Sequence, residues 1–358
     1  MAVGRRGALA GAALLLAARR ARAMPDEHLA YVAGAQGITL WRVNTGDGAL
    51  RRLSIAAIER ASWLARDAHG RTLYAVMPGE PEGRVSAFAI ERGSGALVPR
   101  NAVAAHGAAP CFVSVHPSEK FVLVANGGGS VAVFPVSEAG ALGDASDVQG
   151  QPAKAASGMV ASDPAGRFIL ATDTTGDRIL RFTLDAASGK LAASGDPVPT
   201  APGSSPDRFV FAPHGRVLYV LQSRAATVTA YDYDGETGAL RAVQDVSVLP
   251  PGYAGGFAAA DLLLTADGRF LYASVQLHDA ITIFAVGEAG RLTRIGETWT
   301  RADDPGSFTL APDGNMLFAC DRRAGTITSF RVSRLSGAVD FVGQYAAVGS
   351  PACMVFLD

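Results

Sequence analysis

"DPAGRFILATDTTGDRILRF" (residues 163–182) runs a tight turn, an apolar strand, a polar loop and a second strand in succession. The chain restates this phrase five times: "AHGRTLYAV" around Gly70, "HPSEKFVLVAN" around Glu119, "APHGRVLYV" around Gly215, "TADGRFLYAS" around Gly268 and "APDGNMLFAC" around Gly314. Successive equivalents of Gly166 lie 49, 47, 49, 53 and 46 residues apart. That period belongs to propeller blades of four short strands rather than to helical solenoids.

Each unit has one grammar. An apolar strand enters the turn, as in "RFVFAPHG" (208–215), where Pro presets φ and Gly accepts the backbone that would strain other residues. A strand rich in β-branched and aromatic residues follows ("RFLYAS", 269–274), then a short loop and an alternating strand: "SVAVF", "TVTAYDY", "AITIFAV", "TITSF". "SGAL", "SGKL", "TGAL" and "SGAV" make a second turn before the outermost strand. Outside the first residues no stretch sustains a 3.6-residue apolar period, which argues against long helices.

Six turns imply seven blades, because the two ends carry complementary fragments. "LAYVAGAQGITLWRVNTGDGALRRLSI" (29–55) supplies strands two to four of a unit, and "SPACMVFL" (350–357) copies the first-strand pattern of "SPDRFVFA" (205–212). The expected architecture is all-β: a seven-bladed β-propeller of four antiparallel strands per blade, the last blade closed by both termini. Closure removes the exposed edge that invites aggregation. Residues 24–358 then form one domain.

Residues 1–23 read differently. "MAVGRRGALAGAALLLAARRARAM" carries Arg5 and Arg6, a short Ala/Leu run, and small residues before Met24, the pattern of an export signal. The apolar run is too short to span a bilayer. The arginine pair suits a twin-arginine route, whereas Arg19 and Arg20 after the run are awkward for any leader. The expected location is periplasmic or secreted, with a cytoplasmic one the alternative. Removing the leader leaves 27 basic against 33 acidic residues, which argues against nucleic acid or anionic membrane as partner.

Cys111, Cys320 and Cys353 have no paired spacing and read as buried thiols, and no C-x-x-C or H-x-x-H cluster points to a bound transition metal. None of the six histidines accompanies a G-x-S-x-G nucleophile. "GGGS" (127–130) lies between two strands and lacks the lysine of a phosphate loop. No metal or other cofactor is expected.

The repeat period, the strands "EPEGRVSAFAI" and "GGGSVAVFPV", the loop "DTTGDRILRF" and the ending "SPACMVFL" resemble the lactonase family of seven-bladed propellers, the 6-phosphogluconolactonase type, from about Tyr31 onward. The resemblance implies a carboxylic ester hydrolase opening a sugar lactone or a related ring, with a small-molecule lactone or sugar-like ligand as partner; a monomer is expected. WD and kelch signatures are missing. Most of the family's catalytic positions are altered: its P-C-H is Pro110-Cys111-Phe112, its H-x-H is Ala156-Ser157-Gly158, and its P-R-H is Pro206-Asp207-Arg208. Its N-E-L is Gln222-Ser223-Arg224, its E-I-H is Asp261-Leu262-Leu263, and its N-R-G-H-D is Val275-Gln276-Leu277-His278-Asp279, which keeps His278. Asp173, Asp177 and Arg178 fit the family's D-L-G-x-D-R.

Ester hydrolysis needs a base to activate water and donors for the developing oxyanion. Aligned on their turns, the first strands place Trp63, Phe112, Met159, Arg208, Asp261, Ser307 and Cys353 at equivalent positions around the channel. In that ring only Arg208 and Asp261 ionise. They are read either as a self-satisfying salt bridge or as a carboxylate base beside an oxyanion-binding arginine. Asp207, His278, Asp173 and Arg178 are the candidate substrate-binding residues, Asp173 and Arg178 also reading as a loop brace with Asp177. Two functions stay open: a divergent lactonase whose substrate lacks phosphate, since the usual cations are missing, and an inactive exported propeller that binds a small molecule or protein. A polar, open channel mouth favours the first.

Overall fold

The computed structural model describes residues 26–56, 60–79, 81–150 and 156–357; the leader reading of residues 1–23 lies outside the described residues. Seven antiparallel sheets are arranged as blades. The innermost strands of blades 1 to 6 are Trp63–Arg66, Pro110–Val115, Ser157–Ser162, Pro206–Phe211, Ala258–Leu264 and Pro305–Leu310. Blade 7 takes its innermost strand, Cys353–Phe356, from the end of the chain and the other three, Glu27–Gly34, Gly37–Asn44 and Leu50–Ala56, from its start. Ala30 pairs with Phe356 and Ala33 with Cys353, so the ring closes as the complementary fragments require. Each blade has four strands except blade 3, where Leu191–Ala193 and Val198–Pro199 share the outer edge of Arg178–Leu184. A single 3-10 turn, Glu288–Gly290, is the one helical element among the described residues.

Burial explains the sequence pattern. Second strands such as Phe121–Asn126, Val217–Gln222 and Met316–Asp321 are buried at every position, because both faces of a blade pack on neighbours, and they read as continuous apolar runs. Outer strands such as Ala239–Ser247 are mostly exposed or half-buried and read as polar.

The second turn of each unit also locks the ring. Its glycine carbonyl accepts a hydrogen bond from the preceding blade in all seven: Gly95, Gly140, Gly290 and Gly337 from the hydroxyls of Tyr31, Tyr74, Tyr219 and Tyr272; Gly189 and Gly48 from Ser146 and Ser329; Gly238 from Arg181. Each of these glycines has φ between +68° and +80°, which is why the turn keeps Gly.

Candidate active site

Antiparallel order puts the loops between second and third strands, and the connections between blades, on one face of the ring. On that face the first strands of blades 2 to 6 are bulged, with register breaks between Pro110 and Phe112, Ser157 and Val160, Pro206 and Phe209, Ala259 and Asp261, and Pro305 and Ser307. A bulge re-aims side chains. In blade 4 it lets two consecutive residues, Asp207 and Arg208, both reach the channel mouth.

Arg208 extends from blade 4 across the channel. Its guanidinium carbon lies 4.9 Å from the Trp63 ring centroid and 5.3 Å from that of Phe112, two rings that themselves pack 4.9 Å apart. Nη1 donates to Gly158 O at 2.7 Å and to Asp207 Oδ1 at 2.9 Å. Burial by itself would lower its pKa, but the charges of Asp207 and Asp261 raise it on balance, so the cation is held. Its carboxylate partner is therefore Asp207, its neighbour in sequence, rather than Asp261 across a blade boundary.

Gly158 makes this pairing sterically feasible. It stands where the family pattern has the second histidine of H-x-H, and a β-carbon there would overlap Asp207 Oδ1. Asp207 is 27% exposed at its side chain, and its Oδ2 has no hydrogen-bond partner among the described residues. Asp261 is only 7% exposed. Its Oδ1 accepts from the Leu262 amide at 2.9 Å and its Oδ2 from the Phe308 amide at 3.1 Å. Burial pushes its pKa up to about 6, against the opposing charge of Arg208.

Two open lobes meet at this pair, sharing Asp207, Arg208 and Arg322 as walls. The first, about 460 Å3, spreads towards blades 7, 1, 2 and 3 and reaches Arg60, Cys111 and Thr174. The second, about 500 Å3, spreads over blades 4 to 6 and reaches Ser223, Arg224, Phe257 and Gln276. The mouth is thus polar and open although the ring beneath it is largely apolar.

The remaining candidates sit around it. Asp173, fully buried, takes Arg178 Nε on Oδ2 at 2.8 Å and the Gly176 amide on Oδ1 at 2.8 Å. Asp177 accepts from the Gly203 and Ser205 amides at 2.6 and 2.8 Å, which braces the loop that delivers Pro206, Asp207 and Arg208. His278 is not among the residues lining either lobe: its ring packs on Tyr253 at 4.6 Å, and Nε2 lies 3.3 Å from Glu297 Oε2. Cys111 donates to Ser157 O at 3.1 Å, and burial raises its pKa to about 11, so it is a thiol rather than a nucleophile.

The first-strand alignment did not identify Arg60, Arg224, Arg322 or Phe257. None of the three arginines makes a side-chain hydrogen bond or ion pair among the described residues. The mouth therefore has positive charge from positions other than the family's, and the expectation of a substrate lacking phosphate loses its basis. The available signal was positional: Arg224 and Arg322 both lie within two residues of the end of a second strand, in loops that face the mouth. Among the described residues no group of three or more His, Cys, Asp or Glu is gathered as a metal site.

The curated relatives include the 6-phosphogluconolactonase of Bacillus subtilis (strain 168), 28% identical over 335 residues, with 90% of this chain and 95% of the relative covered. Another is the 6-phosphogluconolactonase of Enterobacter sp. (strain 638), 25% identical over 323 residues and covered at 90% and 96%. Among solved structures, the periplasmic gluconolactonase of Pseudomonas aeruginosa superposes with a TM-score of 0.87 at 26% identity, covering 92% of this chain and 99% of that one. The family model described as "Lactonase, 7-bladed beta-propeller" matches residues 28–356, and with that span, closure and repeat the chain belongs to the seven-bladed lactonase family of β-propellers.

Proposed function

We propose that this lactonase-type propeller hydrolyses the ester of a sugar-type lactone at the junction of the two lobes. The observation that carries the reading is the Asp207–Arg208 pair: one carboxylate oxygen fixed by the guanidinium, the other free at an open cleft. Asp207 Oδ2 takes a proton from water as the water oxygen bonds to the lactone carbonyl carbon. Arg208, with Arg322 opposite, holds the negative charge that develops on the carbonyl oxygen. The tetrahedral adduct then collapses: the ring C–O bond breaks, the leaving alkoxide takes the proton back from Asp207, and the product is an open hydroxy acid.

This assignment moves the base from Asp261 to Asp207. Both oxygens of Asp261 are occupied by backbone amides, so it acts by supporting the charge of Arg208 from below. Asp173, Asp177 and Arg178 hold the loops that shape the mouth, and His278 holds the blade 5 loop. The free guanidiniums of Arg60, Arg224 and Arg322 let the site accept an anionic lactone as readily as a neutral one. Export fits a role like that of the periplasmic gluconolactonase relative, and N-terminal sequencing of protein recovered outside the cytoplasm tests it: the mature chain begins near Met24, and an intact Met1 refutes export.

Turnover of glucono-δ-lactone and its 6-phosphate by the wild type, Asp207→Asn and Asp261→Asn tests the reaction. Asp207→Asn lowers kcat by at least ~100-fold, whereas Asp261→Asn retains most of it. A wild type inactive on every lactone refutes the hydrolase reading, and equal losses in the two variants refute the assignment of the base.

A further inference from the structure

We infer that the substrate is longer than a single sugar: the lactone of a disaccharide-type aldonic acid, with its glycosyl unit lying in the lobe over blades 4 to 6. This rests on the lactonase reading of the Asp207–Arg208 junction and adds the substrate class.

Space is the first ground. Reaction at the junction needs one ring beside Asp207 and Arg208. Each lobe, at about 460 and 500 Å3, falls by itself in the ~300–1,000 Å3 range of small-molecule sites. A lone six-membered lactone leaves one of them filled with water.

Chemistry is the second. The lobe over blades 4 to 6 presents Phe257, 37% exposed, along one wall. A pyranose ring has an apolar C–H face that packs on an aromatic ring and a rim of hydroxyls that needs paired donors and acceptors. Gln276 and Arg224 line the same lobe. Neither side chain makes a hydrogen bond among the described residues, and both are planar groups able to meet two adjacent hydroxyls at once. An aromatic platform beside uncommitted planar polar groups fits a second polyhydroxylated ring.

The backbone supplies the third. Leu277, 54% exposed, holds φ at +66°, a costly conformation for leucine. Its side chain lies against Gly256, the residue before Phe257, where an added β-carbon would come 3.5 Å from Cδ1.

The test compares kcat/KM for glucono-δ-lactone and cellobiono-δ-lactone, together with calorimetric binding of the corresponding non-hydrolysable lactams. The wild type should prefer the disaccharide lactone by at least ~10-fold, the value of about one aromatic contact. Phe257→Ala and, independently, Gln276→Ala should each lower that preference while circular dichroism stays unchanged. Equal or better use of the glucose lactone overturns the proposal and leaves the hydrolase reading intact. Preferential binding of the disaccharide lactam without turnover of either lactone upholds the extended ligand and overturns hydrolysis. Absence of both binding and turnover overturns both.

Discussion

Replacing Arg208 by Met removes the charge at the junction while keeping much of the side-chain volume over Trp63 and Phe112. Two consequences for stability can be separated by pH. The cation–π contacts with the two rings contribute ~1 kcal/mol each at any pH. The second consequence runs through Asp261, whose pKa is raised from 3.8 to about 6 even with Arg208 opposing the rise. A raised folded-state pKa favours the protonated form, so the stability it contributes is complete below ~4 and is lost as pH rises through about 6. Without the guanidinium the pKa climbs further, and the loss continues to higher pH. A further rise of one unit adds ~1.4 kcal/mol. The variant should therefore be ~2 kcal/mol less stable than wild type at pH 4.5 and at least ~3 kcal/mol less stable at pH 8, the range expected when one partner of a buried charge is removed. Urea unfolding followed by tryptophan fluorescence at the two pH values measures the difference. A penalty that is constant, or larger at pH 4.5, refutes the coupling of Arg208 to Asp261. Turnover of a lactone should fall by ~100-fold or more.

Gly158→Ala drives a β-carbon into the Asp207 carboxylate and should cut kcat at least ~10-fold by displacing the base; unchanged kinetics would remove Asp207 from the site. Asp321, fully buried, has its pKa pushed up to about 8 by burial, with Thr328 donating to Oδ2 and no hydrogen-bond partner on Oδ1 among the described residues. Wild-type stability should therefore decline at up to ~1.4 kcal/mol per unit as pH rises from 4 towards 8, and Asp321→Asn should flatten that decline in a thermal melt series. Deleting residues 351–358 removes the innermost strand of blade 7 and should abolish cooperative unfolding near the wild-type Tm; an undisturbed transition would contradict closure by both ends.

Seven blades were legible because each depends on a short-range rule. The first turn needs a residue in the left-handed region, Gly in five of its six copies and Glu119 in the other, the second needs a glycine there, and the strand between is apolar on both faces. The fragment "SPACMVFL" showed closure for the same reason. The partner of Arg208 was not legible: equivalence of first strands set Asp261 beside it, but a bulge at Pro206–Phe209 turns Asp207 inwards, and a one-residue shift of that kind leaves no trace in a periodic pattern. Arg60, Arg224, Arg322 and Phe257 come from connections that differ from blade to blade, so aligning the repeats could not collect them. His278 lay in a family-like phrase, yet its ring is taken up by Tyr253 and Glu297, contacts that depend on the length of the loop before blade 5.

Blade 7 joins strands that are made far apart in time during synthesis. Ala30 leaves the ribosome 326 residues ahead of its partner Phe356. The edge of Glu27–Gly34 must therefore wait, unpaired, while six blades assemble beside it. Contacts of such sequence separation are slow to form. At high concentration the waiting edge can be met first by the last strand of another molecule, so refolding from denaturant should yield interlinked dimers in proportion to protein concentration, each completing the other's ring.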